Sequence, residues 1–336
     1  MRVGYNPHKD QPQKEADYLH QIIIPVYIPN KEGYFKDSFT IFKICLSSLF
    51  ATVHNKTFIT IVNNGSGSFV KDYLNELAEQ NRIHEVIHTQ NIGKLNAILK
   101  GLAGNNIELV TITDADVLFL PNWQNETAKV FTQVPKAGVV GIVPQFKTYE
   151  INCGTAIFDN FFNKNLKFMP VKNKEALIHF YDSIGWDRSY NQDYLKYNLG
   201  LEINADLKVL AGSGHFVATY KKDIFQEITT YIGYKLGGNS EGYLDKVPLK
   251  KGYWRLTTYE NYAYHMGNTF EDWMKTDRQQ ENTNQYPSSN FSKNKTQNRV
   301  SYFIKNRVFI KFISIKWLVK LFLRWKKLPK GMIEKY

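Results

Sequence analysis

The sequence predicts an α/β protein whose central sheet is mostly parallel and is flanked by helices. Two observations carry this prediction. β-branched runs alternate with amphipathic helical patterns over the first 145 residues, and a polar cluster follows several of these runs. Such alternation is typical of βαβ units, whose ligands bind at the carboxyl ends of the strands. A chain of 336 residues, 43% of them hydrophobic, is long enough to bury a core of this kind.

The individual elements follow from hydrophobic periodicity. Short apolar runs, most of them rich in Ile, Val and Thr, predict strands at 21–27, 57–62, 85–88, 108–113 and 139–143. Apolar residues at three- and four-residue spacing predict helices at 38–53, 69–77 and 94–102.

Composition divides the chain into four segments. Residues 1–145 carry the regular alternation, whereas 146–275 are less periodic and rich in Tyr, Phe, Asn and Gly. Residues 276–298 contain almost no aliphatic side chain, which predicts a polar linker. Residues 299–336 are both basic and apolar, and we call them the tail.

The net charge of +12 is confined to the end of the chain. Residues 1–290 contain 30 basic and 30 acidic side chains, whereas 291–336 contain 13 basic side chains and one acid. A neutral body that adds no basic groove argues against nucleic-acid binding.

Missing motifs disfavour several other classes. The G-x-G-x-x-G fingerprint does not occur, which argues against a dinucleotide dehydrogenase. The two cysteines form no C-x-x-C pair, which favours a reducing compartment over a zinc or redox site. Neither a secretory signal nor a run of about 18 apolar residues is visible, so we expect a cytoplasmic protein without a conventional transmembrane helix.

The most informative polar cluster is Asp114-Ala115-Asp116, which follows the predicted strand 108–113. If the extended geometry continues, the two carboxylates face one side and Ala115 faces the other. Two converging carboxylates suit Mg²⁺ or Mn²⁺, which share their remaining coordination with phosphate oxygens. Two more polar clusters follow strands at 63–66 and 91–94.

These motifs, taken in order, resemble those of the family 2 glycosyltransferases of the GT-A fold over residues 20–270. The matching segments are 22–27, 61–66 (V-D-x-G-S in the family), 91–101 (N-x-G-K-x-x-A-x-x-x-G) and 114–116. Asn63 stands where the family usually has Asp, and Leu99 stands where many relatives have Asn.

The resemblance implies roles for residues of both halves. It makes 1–145 the nucleotide-sugar-binding half, and the implied donor-binding residues are Pro25, Tyr27, Asn63, Asn91, Gly93, Lys94, Asp114 and Ala115. A segment similar to Y-H-x-G adds His265 to Asp114 and Asp116 as ligands of Mn²⁺ or Mg²⁺.

Residues 146–275 match the family more loosely, as the acceptor-binding half. The glycine-rich acceptor segment corresponds to Gly212, Ser213, Gly214 and His215. Relatives carry G-E-D-x-D-L before K-x-G-Y, and one acid of this motif is the catalytic base. Counting back from Gly252-Tyr253 places Glu241 at the base position, with Asp245 as the rival one helical turn later.

Dense apolar residues interrupted by cations predict that the tail is a helix in a membrane interface. Helical spacing places several cations in one sector of about 100°, toward anionic lipid: Lys305, Lys316, Lys320, Arg324 and Lys327. We expect Phe309, Phe312, Trp317 and Phe322 to enter the acyl boundary, and the body without the tail to be soluble and to bind the donor. A helix packed on the body is the alternative.

The implied function is transfer of a hexosyl or N-acetylhexosaminyl group, with inversion, from a nucleotide sugar to a glycan or lipid-linked glycan. A UDP-sugar is the favoured donor, and surface-polysaccharide assembly at the inner face of the cell membrane is the expected setting. The alternative is a catalytically inactive nucleotide-sugar-binding or membrane-docking protein of the same fold. The sequence leaves open whether the chain forms a homo-oligomer.

Overall fold

The computed structural model describes residues 4–6, 8–11, 17–226, 231–233, 235, 242–275, 291 and 297–336. Within these residues, ten strands form one mixed sheet and two short strands pair separately. Helices pack on both faces of the sheet, and the buried residues form three clusters between the layers.

The first part of the chain builds the parallel portion of the sheet. Its strands are β1 (His20–Val26), β2 (Thr57–Asn64), β3 (Glu85–Thr89) and β4 (Leu109–Thr113), which pair in the order β3-β2-β1-β4. Its helices are α1 (Ser38–Thr52), α2 (Ser68–Glu79) and α3 (Lys94–Leu102). The α/β prediction is confirmed, because β1 is buried on both faces, as a strand covered by helices must be.

Later strands extend this sheet. They are β6 (Ala137–Gly141), β7 (Leu166–Pro170), β8 (Tyr197–Glu202), β9 (Lys208–Ala211), β10 (Val217–Lys221) and β11 (Trp254–Thr258). β10 lies antiparallel between β4 and β6, β11 is parallel to β6, and β9, β8 and β7 follow as antiparallel neighbours. β5 (Val117–Phe119) and β12 (Ala263–His265) form the separate antiparallel pair. Strands from both halves therefore share one sheet.

The remaining helices lie mainly in the second half. They are α4 (Trp123–Gln133), α5 (Gly154–Asp159), α6 (Lys174–Ser183) and α7 (Gly242–Lys250). Short 3₁₀ turns occur at Gly33–Phe35, Thr148–Glu150, Gln192–Leu195, Lys222–Phe225, Asp272–Met274 and Lys330–Met332.

The tail is helical and packs on the body. It consists of α8 (Arg299–Phe303), a π-helical segment (Ile304–Val308), α9 (Phe309–Ile313) and α10 (Lys316–Trp325). Phe322 and Leu323 are buried in the cluster that also contains Leu166 and Phe168. The predicted assignment of Phe309 and Phe322 to lipid is wrong, because both rings pack against the body.

One predicted lipid-facing cation also points inward. Lys305 Nζ lies 2.6 Å from Asp159 Oδ1, and Lys136 Nζ lies 2.7 Å from the other carboxylate oxygen. Trp254 Nε1 donates to the same carboxylate at 2.9 Å. Lys305 is held on the body because this largely buried acid attracts it.

Further predictions concern membrane-spanning helices, the two cysteines and the polar linker. None of the helices in the described ranges is long and apolar enough to cross a membrane. Cys45 and Cys153 are both buried and not disulfide-bonded. The predicted linker, 276–298, lies outside the described residues except at 291, 297 and 298.

Candidate active site

Two cavities meet at the carboxyl edge of the parallel strands. One has a volume of about 440 Å³ and the other about 770 Å³. Their shared lining is Tyr34, Asp114, Asp116, Gly267 and Asn268. The two predicted metal-binding aspartates therefore lie where the cavities join.

The smaller cavity collects most of the predicted donor-binding residues. Its lining includes Pro25, Tyr27, Asn91, Lys94, Asp114 and Ala115, together with Asn64 and Lys235. Tyr27 is 40% exposed, and its ring meets Phe35 edge-on at 5.8 Å. The cavity wall thus offers an aromatic surface, two lysines and two carboxylates.

Two predicted donor-binding residues, Asn63 and Gly93, are not in the wall of the smaller cavity. Asn63 Oδ1 accepts from the Ser66 backbone N–H at 3.0 Å, and Asn63 Nδ2 lies 3.0 Å from His88 Nδ1. Gly93 precedes α3 with a φ of 88°, a left-handed conformation that favours glycine. Among the described residues that line the smaller cavity, neither Asn63 nor Gly93 occurs.

Asn64 reaches the smaller cavity, and the motif comparison missed it. Asn64 Oδ1 accepts from the Ile92 N–H at 2.9 Å, which ties the end of β2 to the loop before α3. Because β2 continues through Asn64, residues 63 and 64 face opposite sides of the strand. Strand alternation was the signal that could have pointed to Asn64.

Asp114 is held by a lysine from the neighbouring motif. Its Oδ1 lies 2.5 Å from Lys94 Nζ, and its N–H donates to the Phe216 carbonyl at 2.8 Å. β4 ends at Thr113, so the extended geometry expected through Asp116 does not continue. As a result Ala115, expected to face away, lines the smaller cavity.

Asp116 lies beside His265 because β5 and β12 pair. His265 is opposite Val117 in that pair, and the Met266 N–H donates to the Asp116 carbonyl at 2.8 Å. His265 Nε2 lies 3.4 Å from Asp116 Oδ2, while His265 Nδ1 lies 3.0 Å from Ser183 Oγ. Burial raises the pKa of Asp116, and the nearby His265 opposes that rise.

The carboxylates fit a hard cation whose remaining ligands come from a bound molecule. Asp116 Oδ1 is buried, and no described residue forms a hydrogen bond with it. Among the described residues, no group of three or more His, Cys, Asp or Glu side chains is arranged to hold a metal ion. The predicted set of Asp114, Asp116 and His265 is therefore not assembled as a three-ligand site by the protein alone. Mg²⁺ is commonly bound by one or two carboxylates plus substrate phosphates, and this site offers such a donor set.

Of the two candidate bases, Asp245 is buried in an ion pair. Its Oδ1 lies 2.5 Å from Nη2 of the buried Arg255, and its Oδ2 lies 4.0 Å from His215 Nδ1. It lines neither of the two cavities described. Glu241, the residue before α7, lies outside the described residues.

The predicted acceptor segment is closely packed beside this ion pair. Arg255 Nη2 donates to the Ser213 carbonyl at 2.6 Å, and Thr257 Oγ1 donates to the Gly212 carbonyl at 2.7 Å. Gly212 has a φ of +98°, and a Cβ there would lie 2.4 Å from the Thr148 carbonyl oxygen. Gly212, Ser213 and His215 thus lie beside Asp245 and Arg255, and none of the three lines either of the two cavities described.

Most of the wall of the larger cavity is formed by residues that the motifs do not mark. Beyond the shared residues and the predicted His265, its wall includes His179, Asp182, Ser183, Glu271 and Trp273. The His179 and Trp273 rings meet edge-on at 4.3 Å. No motif marks these residues, because the end of α6 and the loop after β12 meet only in the fold.

The chain has an α/β fold of the GT-A type, and two aspartates lie between two cavities at the parallel edge of its mixed sheet. The model of glycosyl transferase family 2 matches residues 22–198, more than half of the chain, and the chain belongs to this family. No curated protein matches the chain.

Two solved structures are among those similar to this chain. S. aureus TarS 1-349 is 12% identical, with a TM-score of 0.42 over 74% of this chain and 60% of that one. The mannosyltransferase PcManGT from Pyrobaculum calidifontis, in complex with GDP-Man and Mn²⁺, is 16% identical, with a TM-score of 0.41 over 74% of this chain and 58% of that one. The chain thus spans less than two thirds of either.

Proposed function

We propose that this protein transfers a monosaccharide, with inversion, from a nucleotide sugar to a glycan hydroxyl, and that transfer needs a divalent metal. The observation that carries the proposal is the position of Asp114 and Asp116 at the junction of two cavities. One cavity would take the nucleotide and the other the acceptor, so the departing diphosphate would lie beside the carboxylates.

The smaller cavity suits a nucleoside diphosphate. Tyr27 offers a half-exposed ring on which a base can stack, and Asn64 and Asn91 offer amide groups. Lys94 places a positive charge next to Asp114. We favour a uridine nucleotide on the family resemblance, and a hexosyl or N-acetylhexosaminyl group as the sugar.

Asp114 and Asp116 would hold Mn²⁺ or Mg²⁺, with His265 beside them. Such a cation supplies Lewis acidity that stabilises negative charge on a leaving diphosphate. The protein contributes the preorganised part: Lys94 orients Asp114, and the contact between His265 and Ser183 orients the imidazole toward Asp116.

We propose Glu241 as the base that takes the acceptor proton. Asp245 is committed to Arg255, and a buried carboxylate in an ion pair is poorly placed to accept a proton from a substrate. Glu241 is four residues earlier and directly precedes α7.

We propose a glycan acceptor in the larger cavity, where Trp273 offers an aromatic face and Asp182 and Glu271 offer hydrogen-bond acceptors. A lipid-linked glycan is favoured because the tail exposes apolar and basic side chains, a combination suited to a lipid surface.

The test begins with thermal-shift screening of nucleotide sugars with Mn²⁺, followed by donor turnover for the stabilising sugar. Asp116→Asn should lower turnover by orders of magnitude without lowering the melting temperature of the protein alone, because a neutral amide is a poor ligand for a hard cation. Asp72→Asn, an exposed acid on α2, is the matched control. Stabilisation without turnover in the wild type would favour the inactive nucleotide-sugar-binding alternative.

A further inference from the structure

The tail exposes nine large apolar side chains along its length. We call this set the outward face, and each member is at least 43% exposed: Val300, Phe303, Ile304, Val308, Phe312, Ile315, Trp317, Leu321 and Trp325. Large apolar side chains grouped in this way mark an interaction surface rather than scattered exposure.

The opposite side of the tail is hydrogen-bonded to the body, and these bonds determine which side of the tail is left exposed. The buried Lys326 donates to the Phe161 carbonyl at 2.7 Å and to the Asn163 carbonyl at 3.1 Å. At the end of the chain, Tyr336 donates through its hydroxyl to the Tyr197 carbonyl at 2.6 Å. The tail is therefore bound to the body through one side, and the outward face is what remains available.

Exposed cations lie among these apolar side chains. They are Arg307, Lys311, Lys316, Lys320, Arg324 and Lys327. In α10, Trp317, Leu321 and Trp325 recur every four residues, and helical geometry places Lys320 and Arg324 on the same side. The one acid of the tail, Glu334, pairs with Lys320. The surface thus combines aromatic rings with a net positive charge.

The apolar surface continues onto the body. Phe162, in the loop after α5, is 87% exposed, and its ring lies 5.8 Å from that of Trp325. Because Phe162 belongs to the body, the exposed apolar surface is not confined to the tail.

We propose that the outward face, together with Phe162, binds flat on the surface of an anionic lipid bilayer. Phe and Trp rings would enter the interface between headgroups and acyl chains, and the cations would contact lipid phosphates. A second copy of this chain is a poorer occupant, because the tail has 11 basic residues and one acid and two such surfaces would repel. This proposal does not rest on the proposed catalytic function.

The charge contribution is tested by co-sedimentation of the full chain with phosphatidylcholine vesicles that contain or lack phosphatidylglycerol. The test variant carries Lys311→Gln, Lys316→Gln and Arg324→Gln. Its matched control carries Lys56→Gln, Lys71→Gln and Lys100→Gln, three exposed lysines of the body. We expect about 100-fold weaker partitioning for the tail variant, since each cation near the membrane contributes about 1 kcal/mol, and wild-type partitioning for the control. Equal loss in both variants, or equal binding to both vesicle types, would overturn the proposal.

The apolar contribution is tested at high salt, which screens the charges. Phe312→Ser with Trp317→Ser should abolish the binding that remains, whereas Tyr5→Ser with Tyr231→Ser, two rings exposed elsewhere, should leave it unchanged. Wild-type binding by the Phe312/Trp317 variant would contradict the proposal. A wild-type chain that is dimeric in solution, with binding unaffected by both tail variants, would assign the outward face to a protein interface instead.

Discussion

Asp245 matches the motif of the catalytic base, but its contacts stabilise the fold. Its carboxylate neutralises Arg255, which is 2% exposed and also bonds to the carbonyl of Ser213. A charge buried so deeply needs a partner, since removing one member of a buried ion pair costs about 3–5 kcal/mol. The ion pair gives Asp245 a structural task, and that is why we assign proton transfer to Glu241.

Glu241→Gln and Asp245→Asn should separate these two roles. We expect Glu241→Gln to lower transfer by orders of magnitude with little change in the free energy of unfolding, because an amide cannot accept the proton. Asp245→Asn should lower the free energy of unfolding by about 3 kcal/mol, because Arg255 loses its counter-charge. Urea unfolding and donor turnover measure the two effects. A stable but inactive Asp245→Asn protein would move the base to Asp245.

At the scale of elements, the sequence was informative wherever local periodicity decided the structure. Most strands and helices of the first half were predicted because their apolar residues recur at strand or helix spacing. The helix α4 was missed, because its buried face includes the polar residues Gln124 and Thr127. The short strands β5 and β7 to β12 were not predicted, because they are defined by partners far along the chain. For the same reason His265 could be assigned beside Asp116 only through the family resemblance, since the contact depends on the pairing of β5 with β12. The face of the tail that packs on the body could not be predicted either, because Asp159 and Phe161 select it.

The two faces of the tail give a matched test of its packing. Phe322 is 7% exposed within the core cluster, whereas Phe312 is 54% exposed on the outward face. Phe322→Ala should lower the free energy of unfolding by about 3 kcal/mol, the usual cost of removing a buried phenyl ring. Phe312→Ala should change it by less than about 0.5 kcal/mol. Equal effects in urea unfolding would mean that the tail does not pack as described.

The buried histidines near β1, β4 and α4 should make the stability of the protein depend on pH. His20 Nε2 lies 2.6 Å from Thr111 Oγ1, and Gln124 Nε2 donates to His20 Nδ1 at 3.2 Å. Burial lowers the pKa of His54 from 6.5 to about 4 and holds that of His20 well below its usual value. The unfolded chain therefore binds more protons below pH 6.5, so stability is lost as the pH falls from 6.5 toward 4.

The measurement is urea unfolding across this pH range. We expect His54 to contribute about 2 kcal/mol of the loss between pH 6.5 and 4, because its folded-state pKa is about 4 and the full linkage energy is reached only below that pH. His54→Gln should flatten the dependence, and His8→Gln, at an exposed histidine, should not. An unchanged slope in His54→Gln would contradict the assigned pKa.

In the whole molecule, the net charge is distributed unevenly between two parts to which we assign different roles. The body is neutral and places its carboxylates at the edge of the sheet, whereas the basic excess lies in the C-terminal residues. This arrangement suits an enzyme that binds an anionic donor locally, through Lys94 and a cation, and a lipid surface through its tail. The expectation that the body alone would behave as a soluble unit needs revision, because the tail covers apolar residues such as Leu166 and Phe168.

We have proposed that Asp114 and Asp116 act on a nucleotide sugar through a divalent metal. The most direct measurement is release of nucleoside diphosphate by the full chain, from the donor that gives the largest thermal shift, before and after EDTA. We predict that EDTA abolishes release and that excess Mn²⁺ or Mg²⁺ restores it, because the carboxylates alone cannot neutralise the leaving diphosphate. Turnover that persists unchanged in excess EDTA would contradict the claim.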